Sequence, residues 1–147
     1  MAKPRHRQPT FAQSLAPTED KKPRVATGSD RDRMPVWLLG MMDFGGPWCW
    51  WKMDLAAVDR VRERLAALER MTFKEIEGKK SHEIPVEQLG REAQARLLEL
   101  GIDEYDAVLS LRVTTAERVW GLKAPRGIYL LWWDPAHRVY PMNITDN

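Results

Sequence analysis

The chain has 147 residues, of which 44% are hydrophobic, and a formal net charge of +2 at pH 7, values typical of one globular domain with some additional sequence. Seven tryptophans are many for this length, so aromatic burial should supply much of the core energy. A single cysteine excludes an internal disulfide framework and favours a cytoplasmic protein, and no apolar run approaches the roughly 20 residues that span a membrane.

Residues 1–34 are predicted to be a disordered basic tail. Residues 1–33 contain eight lysines and arginines against four acidic residues, a net charge of +4. Large apolar residues are too few in this segment to offset the entropy lost on ordering it. Phe11 and Leu15 are exceptions at helical spacing and could dock on a partner, whereas the basic residues could bind a phosphate backbone. The segment lacks the apolar core of a signal peptide.

Residues 35–147 are predicted to form a single α+β domain that begins with a hairpin. The apolar residues 36–42 predict a strand, and the glycine-rich residues 43–47 predict a turn. The apolar stretch "WCWWKM" then predicts a second strand. Trp48 and Trp50 in this hairpin are candidate partner-binding residues, because exposed aromatic side chains are common at protein interfaces.

Two helices are predicted next, over residues 55–70 and 85–100. Asp54 is a favourable N-cap, and apolar residues then recur every three or four positions. Pro85 suits the first turn of the second helix, and Gly101 suits its end. Between the two helices, "MTFKEI" predicts a short strand or a helix extension, and "EGKKSHE" predicts a loop.

Three strands are predicted over residues 107–113, 117–123 and 126–133, and residues 138–140 could add a last short strand. Each connection is only a few residues long, so the neighbouring strands should be antiparallel. The predicted fold is therefore α+β, with an antiparallel sheet of four to six strands packed on two helices that lie on one face.

The sequence predicts neither a metal site nor a cofactor. The three histidines, His6, His82 and His137, show no paired spacing, and the lone cysteine cannot form a Cys-x-x-Cys pair. Phosphate-binding loops, dinucleotide-binding fingerprints and the nucleophile elbow of serine hydrolases are also absent.

Two arginines point to an anion site. A tight hairpin between the first two of the three strands would place Arg112 opposite Arg118. Like charges in that position destabilise a sheet unless an anion or an acidic residue lies between them. The pair therefore predicts a phosphate or carboxylate site. The alternative is neutralisation by an acidic residue, for which the candidates are Glu83, Glu117 and Asp134.

The segment "WWDPAHRVY" ends the last strand and could complete that site. Asp134 and Pro135 predict a turn. His137 beyond the turn could act as a general acid or base near neutral pH, or could simply close the turn. Tyr140 could stack on a base or donate a hydrogen bond. The earlier loop could add positive charge or be a solvated loop, with Lys79, Lys80 and His82 as its candidates.

Four stretches together resemble the RelE/ParE-like toxin superfamily of bacterial toxin–antitoxin systems, namely "EQLGREAQARLLELG" (87–101), "VLSLRV" (108–113), "ERVWGLK" (117–123) and "RGIYLLWWDPAHRVY" (126–140). The resemblance implies an antiparallel sheet with helices and an endonuclease that cleaves messenger RNA on the ribosome without a metal. It also implies a cognate antitoxin-like partner.

On matching positions, Arg112 and Arg118 would hold the phosphate, while His137 or Tyr140 would act as the base or stack on RNA. Trp120 would offer a further stacking surface. The alternative interpretation is a non-catalytic interaction module of a larger assembly. In that case the Trp-rich hairpin would bind a protein and the basic tail would tether the module.

Overall fold

The computed structural model describes residues 32–78 and 81–141. The predicted tail up to residue 31, together with Lys79 and Lys80, lies outside the described residues. The described chain contains the strands β1 (Trp37–Leu38), β2 (His82–Pro85), β3 (Ala107–Arg112), β4 (Arg118–Ala124) and β5 (Gly127–Asp134) and the α-helices α1 (Leu55–Leu68), α2 (Phe73–Glu77) and α3 (Arg91–Glu99). None of these helices is long and apolar enough to cross a membrane.

The five strands form one mixed sheet in the order β1-β5-β4-β3-β2. β2, β3, β4 and β5 are joined by antiparallel pairing, whereas β1 pairs with β5 in parallel. The predicted α+β class is therefore confirmed. The sheet is not wholly antiparallel, because β1, the first strand in the chain, lies at the edge beside β5 and runs parallel to it.

The predicted N-terminal hairpin is wrong. β1 is only two residues long, and the Trp-rich stretch forms a 3-10 helix, Trp50–Lys52, instead of a second strand. Single hydrogen bonds hold this segment to β5: the Asp43 amide donates to the Leu131 carbonyl at 3.0 Å, and the Trp133 amide donates to the Trp48 carbonyl at 3.0 Å. Contacts with β5 therefore replace pairing within a hairpin.

The first predicted helix is confirmed as α1. The Asp54 carboxylate accepts from the Ala57 amide at 2.8 Å and caps the helix, as its sequence position predicts. The stretch "MTFKEI", expected to be a short strand or a helix extension, instead contains the separate helix α2, which follows α1 after a turn. Thr72 caps α2 in a capping box, since its hydroxyl accepts from the Glu75 amide and the Glu75 side chain accepts from the Thr72 amide.

The second helix, predicted over residues 85–100, is shorter in the structure, where α3 covers Arg91–Glu99. Pro85 lies in β2, opposite Ala107 of β3, and α3 begins only at Arg91. The predicted loop residue His82 is likewise part of β2. Pairing with β3 and burial of Ile84 determine this region, and neither is visible in the local sequence. Gly101, with φ of 73°, ends the helical region as predicted.

Helices cover both faces of the sheet, so the prediction that they share one face is wrong. We call the two apolar layers the α1-side core and the α3-side core. Leu109, Leu111 and Val119 belong to the α1-side core, together with residues of α1 and α2. Val108, Trp120 and Leu122 belong to the α3-side core, together with Ala93 and Leu97 of α3. Both faces of the central strands are apolar, and each requires its own cover.

Candidate functional site

The register of the central strands brings the two predicted arginines together. Arg112 of β3 lies directly opposite Arg118 of β4, as predicted, and Arg118 lies opposite Asp134 of β5. The turn fixes this alignment, because the amides of Val113 and Thr114 both donate to the Glu117 carbonyl, at 2.9 and 3.2 Å. We call Arg112, Arg118 and Asp134, which cross the end of the sheet side by side, the arginine row.

The arginine row lies on the α3 side of the sheet. Trp120 belongs to the α3-side core, and Arg118, two residues earlier on the same strand, shares its face. Arg112 shares that face because it lies directly opposite Arg118. His82 of β2 lies opposite Ser110, which precedes Arg112 by two residues on β3, so His82 is on the same face. His82 is exposed. The row and His82 therefore form one surface.

Arg118 is a buried cation that forms no ion pair among the described residues. Its residue is 9% exposed. Its Nη1 donates to three backbone carbonyls of the turn, those of Thr114, Thr115 and Glu117, at 2.8, 3.1 and 3.1 Å. Within residues 32–78 and 81–141, its Nε and Nη2 have no hydrogen-bond partner and no carboxylate lies within ion-pair distance. Burial and then the Arg112 charge lower the pKa of Arg118, and Asp134 only partly opposes them.

The acidic residues that could have neutralised the pair are engaged elsewhere. Glu117 accepts from Arg60 Nε at 2.7 Å and from Trp133 Nε1 at 2.7 Å, both on the α1 side. Glu83 lies 4.0 Å from Lys123. Asp134 accepts from Trp120 Nε1 and from two backbone amides. The described acids therefore leave the guanidinium of Arg118 without an ion pair.

Arg112 is held by its backbone and presents its side chain to the same surface. Its amide donates to Ser81 Oγ at 3.1 Å, and its carbonyl accepts from Arg64 Nε at 2.8 Å. Its guanidinium makes one hydrogen bond at the limit of the usual distance, from Nη2 to Thr115 Oγ1 at 3.5 Å. Arg112 is partly exposed, so its guanidinium is free to bind an anion beside Arg118.

Asp134 ties the following turn to the arginine row. Its Oδ1 accepts from the Arg138 amide at 2.8 Å, and its Oδ2 accepts from the Val139 amide at 2.9 Å. These bonds hold His137 in the turn with φ of 58°, and residues 138–140 form no strand. His137 Nδ1 lies 3.0 Å from the Tyr140 carbonyl oxygen. Because a carbonyl only accepts, Nδ1 carries the proton in this contact, which leaves Nε2 of a neutral ring as an acceptor.

Three predicted aromatic contacts need correction. Trp120 is fully buried and donates to Asp134 Oδ2 at 3.1 Å, so it offers no face to a base. Trp48 and Trp50 are buried as well, since Trp48 packs on Trp132 and Trp50 Nε1 donates to the Leu131 carbonyl. Neither indole is therefore an exposed partner-binding surface. Tyr140 is partly buried and packs against the α3-side core.

Sequence reasoning missed a buried carboxylate that organises the Trp-rich segment. Asp43 accepts from Arg96 Nε and Nη2 at 2.8 and 2.7 Å and from Trp132 Nε1 at 2.9 Å. Burial raises the pKa of Asp43, but these hydrogen bonds, the Gly45 amide and the charge of Arg96 together lower it to about 2. The partners lie 53 and 89 positions along the chain, so no local pattern indicates them.

Sequence reasoning also missed an apolar groove on the α1 side, between α1 and the segment that runs from β1 to Met53. Its volume is about 460 Å³. Val58, one of the apolar residues that recur along α1, lines this groove and is 47% exposed. Trp51 is 75% exposed, and its ring packs on the ring of Phe44, a nearby residue in the sequence. The pattern correctly marked apolar residues but could not show that α1 is only partly covered.

Comparisons with protein-family models, curated proteins and solved structures find no match for this chain. Within the described ranges, no group of three or more histidine, cysteine, aspartate or glutamate side chains is placed to hold a metal ion. The arginine row is therefore the candidate site from which a function is inferred.

Proposed function

We propose that the arginine row binds a phosphodiester group of RNA and that the protein is a toxin-like, metal-independent RNA endonuclease. The observation that supports this proposal is the buried residue Arg118, which lies opposite Arg112 and forms no ion pair among the described residues. A bound phosphate would offset both the burial of this charge and its repulsion by Arg112. The net charge of +4 on residues 1–33 would add attraction to RNA.

In the proposed reaction, His137 Nε2 takes the proton of a ribose 2′-hydroxyl. The 2′-oxygen forms a bond to the adjacent phosphorus, the bond from phosphorus to the 5′-oxygen breaks, and that oxygen takes a proton from water. The hydroxide left behind takes the proton from the His137 imidazolium, which returns the ring to its neutral form. The products are a 2′,3′-cyclic phosphate and a 5′-hydroxyl end. The guanidinium groups of Arg112 and Arg118 stabilise the charge that develops on the phosphate oxygens. A messenger RNA on the ribosome as substrate, a cognate antitoxin-like inhibitor and a cytoplasmic location belong to the same proposal.

Binding is tested by titrating a labelled single-stranded RNA with Arg112→Gln at several salt concentrations. Loss of one phosphate contact should weaken binding and reduce the slope of log K against log salt by about 0.7. Arg62→Gln is the matched control, because Arg62 is an exposed arginine of α1. Equal affinity of the two variants would exclude the arginine row as the RNA site.

Cleavage is tested separately with His137→Ala, by mapping RNA ends after incubation with the wild-type protein and the variant. The proposal requires cyclic phosphate ends from the wild type, and their loss in the variant with RNA binding preserved. If the wild type binds RNA through Arg112 but produces no such ends, the protein is an RNA-binding protein and the endonuclease proposal is rejected.

The apolar groove favours a second candidate, the non-catalytic interaction module. The groove and the exposed Trp51 supply the accessible apolar surface that the buried Trp48 and Trp50 do not. A wild-type protein that fails to bind RNA at low salt, combined with a partner whose binding is lost in Leu39→Asp, would favour this second function.

A further inference from the structure

The apolar groove lies on the face of the sheet opposite the arginine row. Its lining includes Trp37, Leu39, Met42, Met53, Val58 and Leu65. Arg62 and Glu69 are its only charged lining residues within the described chain. Leu39 is 63% exposed and Val58 is 47% exposed, so the groove presents apolar side chains to the solvent. A concave apolar surface of this size is typical of a binding site.

The N-terminal part of the chain joins the described structure at one end of this groove. The first described residue is Asp32, and the carbonyl of Arg33 accepts from the Phe73 amide at 3.0 Å, just beyond the C-terminal end of α1. Trp37, a few residues later, lines the groove and donates its indole N–H to the Leu65 carbonyl at 3.2 Å. The 31 residues before Asp32 are therefore attached close to the groove.

The segment before Asp32 is long enough to reach every part of the groove. Sixteen residues separate Leu15 from Asp32, and that length spans up to roughly 50 Å when extended. α1 has 14 residues, which corresponds to a length of about 21 Å. A tether of this length keeps an attached segment at an effective concentration of order millimolar, so even a weak contact would be well populated.

One short stretch of this segment has the pattern of a groove-binding helix. Phe11 and Leu15 are four residues apart and would project from the same side of a helix. Thr10 is a favourable N-cap, and Pro9 and Pro17 bracket the stretch. The other large apolar residues of the first 31 are Met1 and Val25, which have no such spacing.

We propose that residues 10–16 of this chain bind in the apolar groove as a short helix, with Phe11 and Leu15 as the anchoring side chains. Binding would cover the exposed side chains of Leu39 and Val58. It would also make the basic residues after Pro17 part of a loop that returns to Asp32. A protein that uses the groove would first have to displace this segment. The proposal is independent of RNA binding, because the arginine row lies on the other face.

The test uses methyl NMR spectra of the full-length protein and of two variants. In Phe11→Ala/Leu15→Ala, the methyl signals of the groove residues Leu39 and Val58 should shift relative to the wild type. Val25→Ala, which removes an apolar side chain from the same segment without the helical spacing, should leave these signals unchanged. Methyl signals of the α3-side core check that the fold is intact, and the suitable ones are those of Val108 and Leu122.

A synthetic peptide of residues 7–19, added in excess to the double variant, should restore the wild-type positions of the groove signals. Identical groove signals in the wild type and the double variant would overturn the proposal. The proposal also fails if the groove signals move with protein concentration to the same extent in both proteins, because the occupant would then be a second copy of the chain.

Discussion

Replacing Asp43 by asparagine removes a buried charge while it keeps the size of the side chain. Asp43 is 3% exposed, and its carboxylate accepts two hydrogen bonds from Arg96 and one each from Trp132 and the Gly45 amide. Asparagine has one acceptor oxygen and cannot satisfy both arginine donors and the indole. Arg96 would then retain only its ion pair with the exposed Glu99, at 2.9 Å.

The pKa of Asp43 gives the size of the effect. It falls from 3.8 to about 2 in the folded protein, and each tenfold change in an acid dissociation constant corresponds to about 1.36 kcal/mol. Because the folded pKa is the lower one, the ionised carboxylate stabilises the fold above pH 3.8, and this contribution is lost as the pH falls through about 2. We therefore expect a contribution of about 2 kcal/mol at pH 7 and about 1 kcal/mol at pH 3.

Urea unfolding followed by tryptophan fluorescence measures the free energies of unfolding of the wild type and Asp43→Asn. The variant should be less stable by at least about 2 kcal/mol at pH 7, and the difference should narrow to about half of that at pH 3. Asp59→Asn is the control, because it removes a carboxylate from an exposed ion pair with Arg62, and its stability should equal that of the wild type. A stability difference that stays constant from pH 7 to pH 3 would refute this reasoning, as would a variant as stable as the wild type.

Three further substitutions test how the elements are held. Trp120→Phe removes the indole donor to Asp134 and should lower the free energy of unfolding by about 1 to 2 kcal/mol in urea titrations; an unchanged value would mean that this buried hydrogen bond adds nothing. Gly127→Ala would place a Cβ against the carbonyl oxygen of Val36, so hydrogen exchange of the amides of β1 should accelerate, and unchanged exchange would contradict the close approach. Thr72→Ala removes the cap of α2 and should cost about 1 kcal/mol in thermal unfolding, unless the cap is dispensable.

Features that depend on neighbouring residues could be predicted from the sequence. Asp54 and the apolar repeat that follows it predict α1 to within two residues, since a cap and a stripe are local properties. The pairing of Arg112 with Arg118 was predictable for a similar reason, because a short turn allows few registers. The arginine half of the candidate site is therefore visible in the sequence.

Features that depend on distant partners could not be predicted in this way. Pro85 is a good helix-starting residue, but pairing of β2 with β3 places it in a strand. Trp50 and Trp51 are adjacent and chemically identical, yet Trp50 is buried and Trp51 is exposed. The indole of Trp50 donates to the carbonyl of Leu131, which is 81 positions away in the sequence. The sequence likewise cannot show that the Arg118 guanidinium caps a turn through three carbonyl oxygens.

The indole–carboxylate hydrogen bonds between β4 and β5 have a consequence for the fidelity of folding. Trp120 of β4 donates to Asp134 of β5 on one face, and Trp133 of β5 donates to Glu117, just before β4, on the other face. A slip of one residue between these strands would carry each indole to the wrong face and leave both buried carboxylates without that donor. The apolar run of β5 could otherwise pair in several alignments. These two bonds penalise the misaligned hairpins, so the same tryptophans that fill the core also select one arrangement of it.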